Sequence, residues 1–165
     1  VFADTMNLWI QAQPEELREV LSRIDGLILN DGEARMLTGE TNLIRAGAEL
    51  LKLGPRVVVV KKGEHGAFLF TEDFHFALPA YPTPRVVDPT GAGDSFAGGF
   101  VGYLAATGAM DKHGLQRAMA YGTVAASLTV EKFSTLGLEA ASREALDERY
   151  GELHEFIRLE DPERV

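Results

Sequence analysis

The chain contains no cysteine, which removes disulfides, thiolate metal centres and thiol nucleophiles and suits a reducing compartment such as the cytoplasm. No apolar run approaches the ~20 residues of a membrane span, and no secretory signal is visible. Basic residues are in the minority: 16 Lys and Arg stand against 25 Asp and Glu, for a formal net charge of −9. They form no basic block, so nucleic acid and anionic membrane are not the expected partners. The four histidines, His65, His75, His113 and His154, are scattered, and no pair has metal-ligand spacing. Two nucleotide signatures are also missing. No Gly-x-x-x-x-Gly-Lys-Ser/Thr occurs, which excludes a P-loop. Gly91-x-Gly93 is followed by Phe96 where the dinucleotide fingerprint requires its third glycine.

What is present is an ordinary globular composition, 45% apolar and 25% charged over 165 residues, enough for one domain with a core. Val1 to Ala3 predicts a short strand leading into the polar Asp4-Thr5-Met6-Asn7. Pro14-Glu15-Glu16 opens a helix whose buried stripe is read as Leu17, Val20, Leu21 and Ile24. Gly26 to Leu29 predicts a strand, followed by a helix with Ala34 and Leu37 inward that stops at Thr38-Gly39. Thr41 is the expected cap of the next helix, with apolar positions at Leu43, Ile44, Ala48 and Leu51. Val57 to Val60 is an unbroken β-branched run, as in a central parallel strand covered on both faces. Lys61 to Gly66 forms a turn, and Phe68, Phe70, Phe74 and Phe76 alternate as a hairpin would, with core rather than stacking roles. Helices are then expected over about 94–107, 112–132 and 142–158. The β–α alternation predicts an α/β domain with helices on both sides of a mostly parallel sheet.

The stretch around residues 85–104 organises the rest. Arg85-Val86-Val87 reads as a strand end, Asp88-Pro89 stops it, and Gly91-Ala92-Gly93 turns the chain into a helix. Phe96, Phe100, Tyr103 and Leu104 recur at helical spacing, with Ala97, Gly98, Gly99 and Gly102 small enough for close approach to a neighbour. A glycine turn into a helix start presents free N–H groups and the positive end of the dipole, an anion site. Asp94 in that first turn is stabilised as the carboxylate a general base must be. Asn30 and Glu33 have the spacing of a helix cap and its reciprocal partner, and that spacing alone favours a capping box.

Asp-Pro-Thr-Gly-Ala-Gly-Asp-Ser-Phe-x-Gly-Gly-Phe, residues 88–100, resembles the second signature of the ribokinase-like (PfkB) carbohydrate kinases. Asn30-Asp31-Gly32-Glu33 resembles that family's Asn-x-x-Glu motif, and Lys62-Gly63-Glu64-His65-Gly66 resembles its nucleotide-phosphate turn. Asp4-Thr5-Met6-Asn7-Leu8-Trp9 is similar to its Asp-Pro-Asn-x-Arg stretch, with Thr5 in place of proline and no arginine. The resemblance covers about residues 1–138 and corresponds to the C-terminal half of such kinases, with the C-terminal helix beyond it.

The resemblance implies a three-layer, doubly wound α/β fold lacking its N-terminal part and lid, with ATP-dependent phosphorylation of a sugar or nucleoside hydroxyl. Asp94 would be the base, with Gly91, Ala92 and Gly93 as the anion hole. Asn30, Lys62, Gly63 and Gly66 would lie on the nucleotide, and Thr123 on its adenine side. Mg2+ would bridge the phosphates with Glu33 in its outer shell. Asp88 and Thr90 match half of a monovalent-cation (K+) site; the other half would fall near Lys132 and Ser134, where the usual glycine is absent, so K+ dependence is left open. A pyridoxal- or hydroxymethylpyrimidine-type kinase and a non-catalytic nucleotide-binding or assembly module are the competing readings. With several strands absent, the sheet should expose an apolar edge or face. The chain is therefore expected to be a piece of a longer protein or to form a homo-oligomer, and alone to phosphorylate poorly or not at all.

Overall fold

A computed structural model describes residues 1–159. Its sheet has five strands in sequence order: β1 (Phe2–Asp4), β2 (Gly26–Asn30), β3 (Val57–Lys61), β4 (Ala67–Phe70) and β5 (His75–Leu78). β1, β2 and β3 are parallel neighbours, β4 runs against β3, and β5 reverses again, so only β4 opposes the others. The hairpin turns through Thr71 and Phe74, where the Thr71 hydroxyl and the Phe74 backbone bond each other.

Strand alternation sends the apolar run to both faces. Leu27, Leu29, Val58, Val60 and Phe70 face one helix layer, where they meet Leu21, Ala34, Ala46 and Leu50. These come from α2 (Pro14–Leu21), α3 (Asp31–Thr38) and α4 (Leu43–Leu51), and a short α1 (Asn7–Ala12) precedes them. Ile28, Val57, Val59, Ala67, Leu69 and Leu78 face the other layer. That layer is α5 (Ala92–Thr107), α6 (Lys112–Val130) and α8 (Arg143–Ile157), with one turn of α7 (Leu136–Glu139) between the last two. The three-layer arrangement predicted from the sequence is present.

Several local expectations change. Val86 and Val87 form no strand; they are exposed, in a loop tied to α6 by the Val87 and Asp88 N–H groups donating to the Val130 carbonyl. Asn42, not Thr41, caps α4, accepting from the Ile44 and Arg45 N–H groups. The buried face of α4 is Ala46, Gly47 and Leu50 rather than the stripe through Ile44 and Ala48. Val20 is exposed, because Leu21 already fills the sheet side of α2. Of Gly98, Gly99 and Gly102 on α5, only Gly99 is pressed against a neighbour. A Cβ there would stand 2.7 Å from the Tyr121 carbonyl oxygen, whereas Gly98 and Gly102 face open space. Of the hairpin phenylalanines Phe70 is fully buried, and Phe68, Phe74 and Phe76 pack at the margins of the two cores.

β1 is one edge of the sheet, and beside it Met6, Leu8 and Trp9 are exposed. No helix among the described residues is long and apolar enough to cross a membrane.

Candidate active site

Three polar side chains mark the carboxyl ends of the parallel strands: Asp4 on β1, Asn30 on β2 and Lys61 on β3. Register sets their side. Asp4 pairs with Ile28, and Asn30 pairs with Lys61 two positions further on, so all three side chains emerge on the face that carries α5. The crevice outside the carboxyl ends is where open α/β sheets bind ligands.

Asn30 and Glu33 form the capping box that their spacing suggested. The Glu33 N–H donates to Asn30 Oδ1 at 2.8 Å, and the Asn30 N–H donates to Glu33 Oε2 at 2.8 Å. Glu33 is only 6% exposed. Burial lifts its carboxyl above the ordinary value, helped by the negative charge of Asp4 and opposed by the Asn30 hydrogen bonds and by Lys61. Lys61 reaches over β2 to Asp4, Nζ to Oδ2 3.1 Å, with its side chain 16% exposed. The Thr5 hydroxyl next to Asp4 is buried, with no hydrogen-bond partner among the described residues.

The glycine turn closes on these strand ends. Gly91 caps α5 in the left-handed conformation, φ 78°, which a β-carbon would strain. The Ala92 N–H donates to the Pro89 carbonyl at 3.2 Å. Among the described residues the Gly93 and Asp94 N–H groups have no acceptor and remain free for an anion. Asp94 is exposed in the first helical turn. A Cβ on Gly93 would lie 3.1 Å from Lys61 Nζ, so the ammonium rests against the helix start. There the dipole opposes it by about 0.3–1 kcal/mol. Asp4 offsets that repulsion.

The other predicted residues fall around this centre. Gly63 and Gly66 bound a 3₁₀ turn after β3, but Lys62 lies on the opposite face, its Nζ 3.8 Å from the centroid of Phe68. Asp88 Oδ1 accepts from the Thr90 N–H at 2.9 Å, and these hydrogen bonds to Thr90 hold its carboxyl below the ordinary value. Ser134 takes the left-handed conformation, φ 56°, the one residue other than glycine that does so among the described residues. Thr123 lies in the buried stretch of α6, next to Gly122, whose Cβ would meet the Phe96 carbonyl. The four histidines are all exposed.

Lys61 and Lys62 are equal candidates in the sequence; Lys61 is the one that meets the glycine turn, and strand parity distinguishes the two only once the face carrying α5 is known. Sequence reasoning missed the anchorage of the loop before the turn. Thr83 Oγ1 donates to Glu131 Oε1 at 2.6 Å, and Arg149 of α8 pairs with Glu131 Oε2 at 2.7 Å. Tyr81 donates to Glu152 and lies under the Arg149 guanidinium.

A glycine-turned helix start over the carboxyl ends of parallel strands is the place where open α/β sheets bind ligands. Residues 2–140 match the profile of the pfkB family carbohydrate kinases. The chain belongs to that family. A cytidine kinase of Thermococcus kodakarensis is 42% identical over 87 residues, 52% of this chain and 31% of that protein. The aminoimidazole riboside kinase of Salmonella enterica, solved with aminoimidazole riboside and an ATP analogue, superposes with a TM-score of 0.76 at 25% identity. That match covers 90% of this chain and 51% of the kinase. An E. coli chain assigned as a ribokinase II, solved with ATP and Mg2+, superposes at 0.67 with 31% identity over 91% of this chain and 44% of its own. The chain thus spans about half the length of these solved relatives.

Proposed function

We propose that these residues carry the phosphoryl-transfer centre of an ATP-dependent sugar or nucleoside kinase. The observation that carries this reading is the convergence of the Gly91–Asp94 helix start with Asp4, Asn30, Glu33 and Lys61 at the carboxyl ends of three parallel strands. Asp94, exposed beside free N–H groups, accepts the proton of the acceptor hydroxyl as its oxygen attacks the γ-phosphorus and the bond to the β-phosphate oxygen breaks. The free N–H groups of Gly93 and Asp94, with the turn at Gly91 and Ala92, oppose the charge on the transferring oxygens. Gly63 and Gly66 bring backbone to the nucleotide, with Asn30 nearby and Thr123 on the adenine side.

Mg2+ retains water and binds through few carboxylates plus substrate phosphates. Glu33, the single buried carboxylate among the described residues, with Asp4 near it, fits such an outer shell, where the ion would supply charge neutralisation on the phosphates. For K+, Asp88 and Thr90 with the left-handed backbone at Ser134 are the oxygen-bearing positions. Residues 1–138 form the motif-bearing part of the domain on this reading, and selectivity for the acceptor comes from elsewhere.

The test is ADP release from ATP and Mg2+ with a panel of pentoses, hexoses and nucleosides. In the full-length polypeptide Asp94→Asn should leave the fold intact and lower kcat by ~10²–10⁴; an unchanged rate removes Asp94 from the role. The 165-residue chain alone should turn over poorly or not at all, and turnover at ordinary kinase rates would refute that.

A further inference from the structure

We propose that Arg149 is a positioning residue for the Gly91–Asp94 turn: from α8 it fixes the last turn of α6, on which both flanks of the glycine turn are seated. The proposal rests on the kinase reading above and adds a distant residue to it. Residues 79–91 join β5 to α5 without helix or strand, so no ladder of their own places Gly91. Three consecutive residues at the end of α6 do this instead. Before the turn, the Val130 carbonyl accepts from the Val87 N–H at 2.7 Å and the Asp88 N–H at 3.2 Å. There Glu131 Oε1 also accepts from Thr83. After the turn, Thr129, only 2% exposed, bonds Ser95 Oγ at 2.7 Å, next to Asp94. A shift of this turn of α6 therefore moves the base and the free N–H groups together.

A helix end is its loosest part, since its last carbonyls lack intrahelical partners, and Glu131 is the C-cap residue of α6. Arg149 holds that end from outside. Its Nη1 donates to Ser127 Oγ at 2.9 Å and its Nη2 to Glu131 Oε2 at 2.7 Å. One planar guanidinium thus spans a turn of the helix. Its face covers the Tyr81 ring at 4.9 Å, and the Tyr81 hydroxyl donates back to Glu152 of α8. The circuit runs from α8 to α6, to the loop, and back to α8. Glu131 is its hinge, with one oxygen on Arg149 and the other on Thr83. Phosphoryl transfer is sensitive to such placement: a misplacement of 1 Å costs about 10²-fold in rate.

The test compares variants of the full-length polypeptide by two readouts, at a temperature where each is folded. One is the backbone amide resonances of Gly91 to Ser95; the other is turnover with ATP, Mg2+ and the acceptor found in the sugar and nucleoside panel. Arg149→Met should displace those resonances and lower kcat about tenfold, with KM for ATP changed less than about threefold. Arg149→Lys keeps the charge without the two-pronged geometry and should fall in between. Thr83→Val cuts only the loop's bond to Glu131 and should move the same resonances in the same direction. Leu153→Ala removes a buried side chain of α8 and is the control for a merely structural role. It should lower Tm at least as far as Arg149→Met, yet leave the resonances in place and kcat within about twofold. The proposal is overturned if Leu153→Ala matches Arg149→Met in both readouts, or if Arg149→Met leaves the resonances, or the kcat of an active enzyme, unchanged. If Arg149→Met does not fold, Thr83→Val decides, and unmoved resonances there overturn the proposal. Displaced resonances in Arg149→Met beside a wild type that turns over no acceptor would support the positioning role and sink the kinase reading alone.

Discussion

The contact between α5 and α6 makes a strong quantitative demand on two adjacent glycines. At Gly99 an added Cβ would stand 2.7 Å from the Tyr121 carbonyl oxygen and 3.0 Å from both the Gly122 Cα and the Ala125 Cβ. Carbon atoms prefer about 3.5–4.0 Å, so the helices must separate by roughly half an ångström or more. Two of the three obstacles are backbone and cannot rotate away. Overpacking of this kind costs about 1–3 kcal/mol, and the gain from replacing a helical glycine by alanine returns about 1 kcal/mol. Gly99→Ala should therefore lose up to about 2 kcal/mol. At Gly98, one residue earlier, nothing lies within 4 Å, so Gly98→Ala keeps the propensity gain of about 0.5–1 kcal/mol. Gly102→Ala should behave like Gly98→Ala. A spread of about 2 kcal/mol between neighbouring substitutions corresponds to roughly 4–8 °C in Tm for a chain of this size. Thermal and urea unfolding followed by far-UV circular dichroism measures it. A Gly99→Ala variant as stable as Gly98→Ala would refute the close approach of the helices.

Two further predictions concern charge. Burial lifts the Glu33 carboxyl above its ordinary value of 4.5. Just above that pH the folded chain therefore holds a proton that the unfolded chain has released, and stability falls as pH rises through the window. Glu33→Gln keeps an acceptor for the Asn30 N–H and removes the titration. Urea midpoints should show the variant gaining on wild type as pH rises above 4.5, and parallel pH profiles would contradict the assignment. Burial also works against the charge of Glu131, but the Arg149 and Thr83 hydrogen bonds, with the charges of Arg149 and Arg85, bring its carboxyl below the ordinary range. The pair's stabilisation is full above that ordinary value and is lost as pH falls through the lower folded one. Arg149→Met, which strands a carboxylate whose side chain is 20% exposed, should cost about 1–3 kcal/mol at pH 7 and less at pH 4. An equal loss at both values would mean that Arg149 acts by packing alone.

Much of this architecture is legible along the chain because its signals are local. Val57 to Val60 can only be a strand covered on both faces, and Pro14, Gly39 and Gly91 punctuate helices through their own backbone preferences. The Gly91–Asp94 turn likewise carries its helix-start geometry in four consecutive residues, and Asn30 and Glu33 carry their capping box in four more. Local signals misled where a tertiary partner overruled them. Val86 and Val87 have strand composition but find their partner in the Val130 carbonyl at the end of α6 rather than in the sheet. The phase of α4 follows the surface offered by Phe70 and Val58, which fixed Ala46 and Leu50 inward.

The identity of the lysine at the site belongs to the same class. Lys61 and Lys62 are adjacent and chemically identical, and a period of two guarantees only that they face opposite ways. Which face carries α5, and so which ammonium meets Gly93, depends on the docking of a helix that begins 31 residues after Lys61. The sequence by itself determined the elements, the glycine turn and the candidate base, because backbone preference and periodicity are read over a few residues. Only the tertiary structure decided that Asp4, Glu33 and Lys61 share one crevice with that turn, because charges separated by tens of residues interact only after the sheet has brought them within a few ångströms.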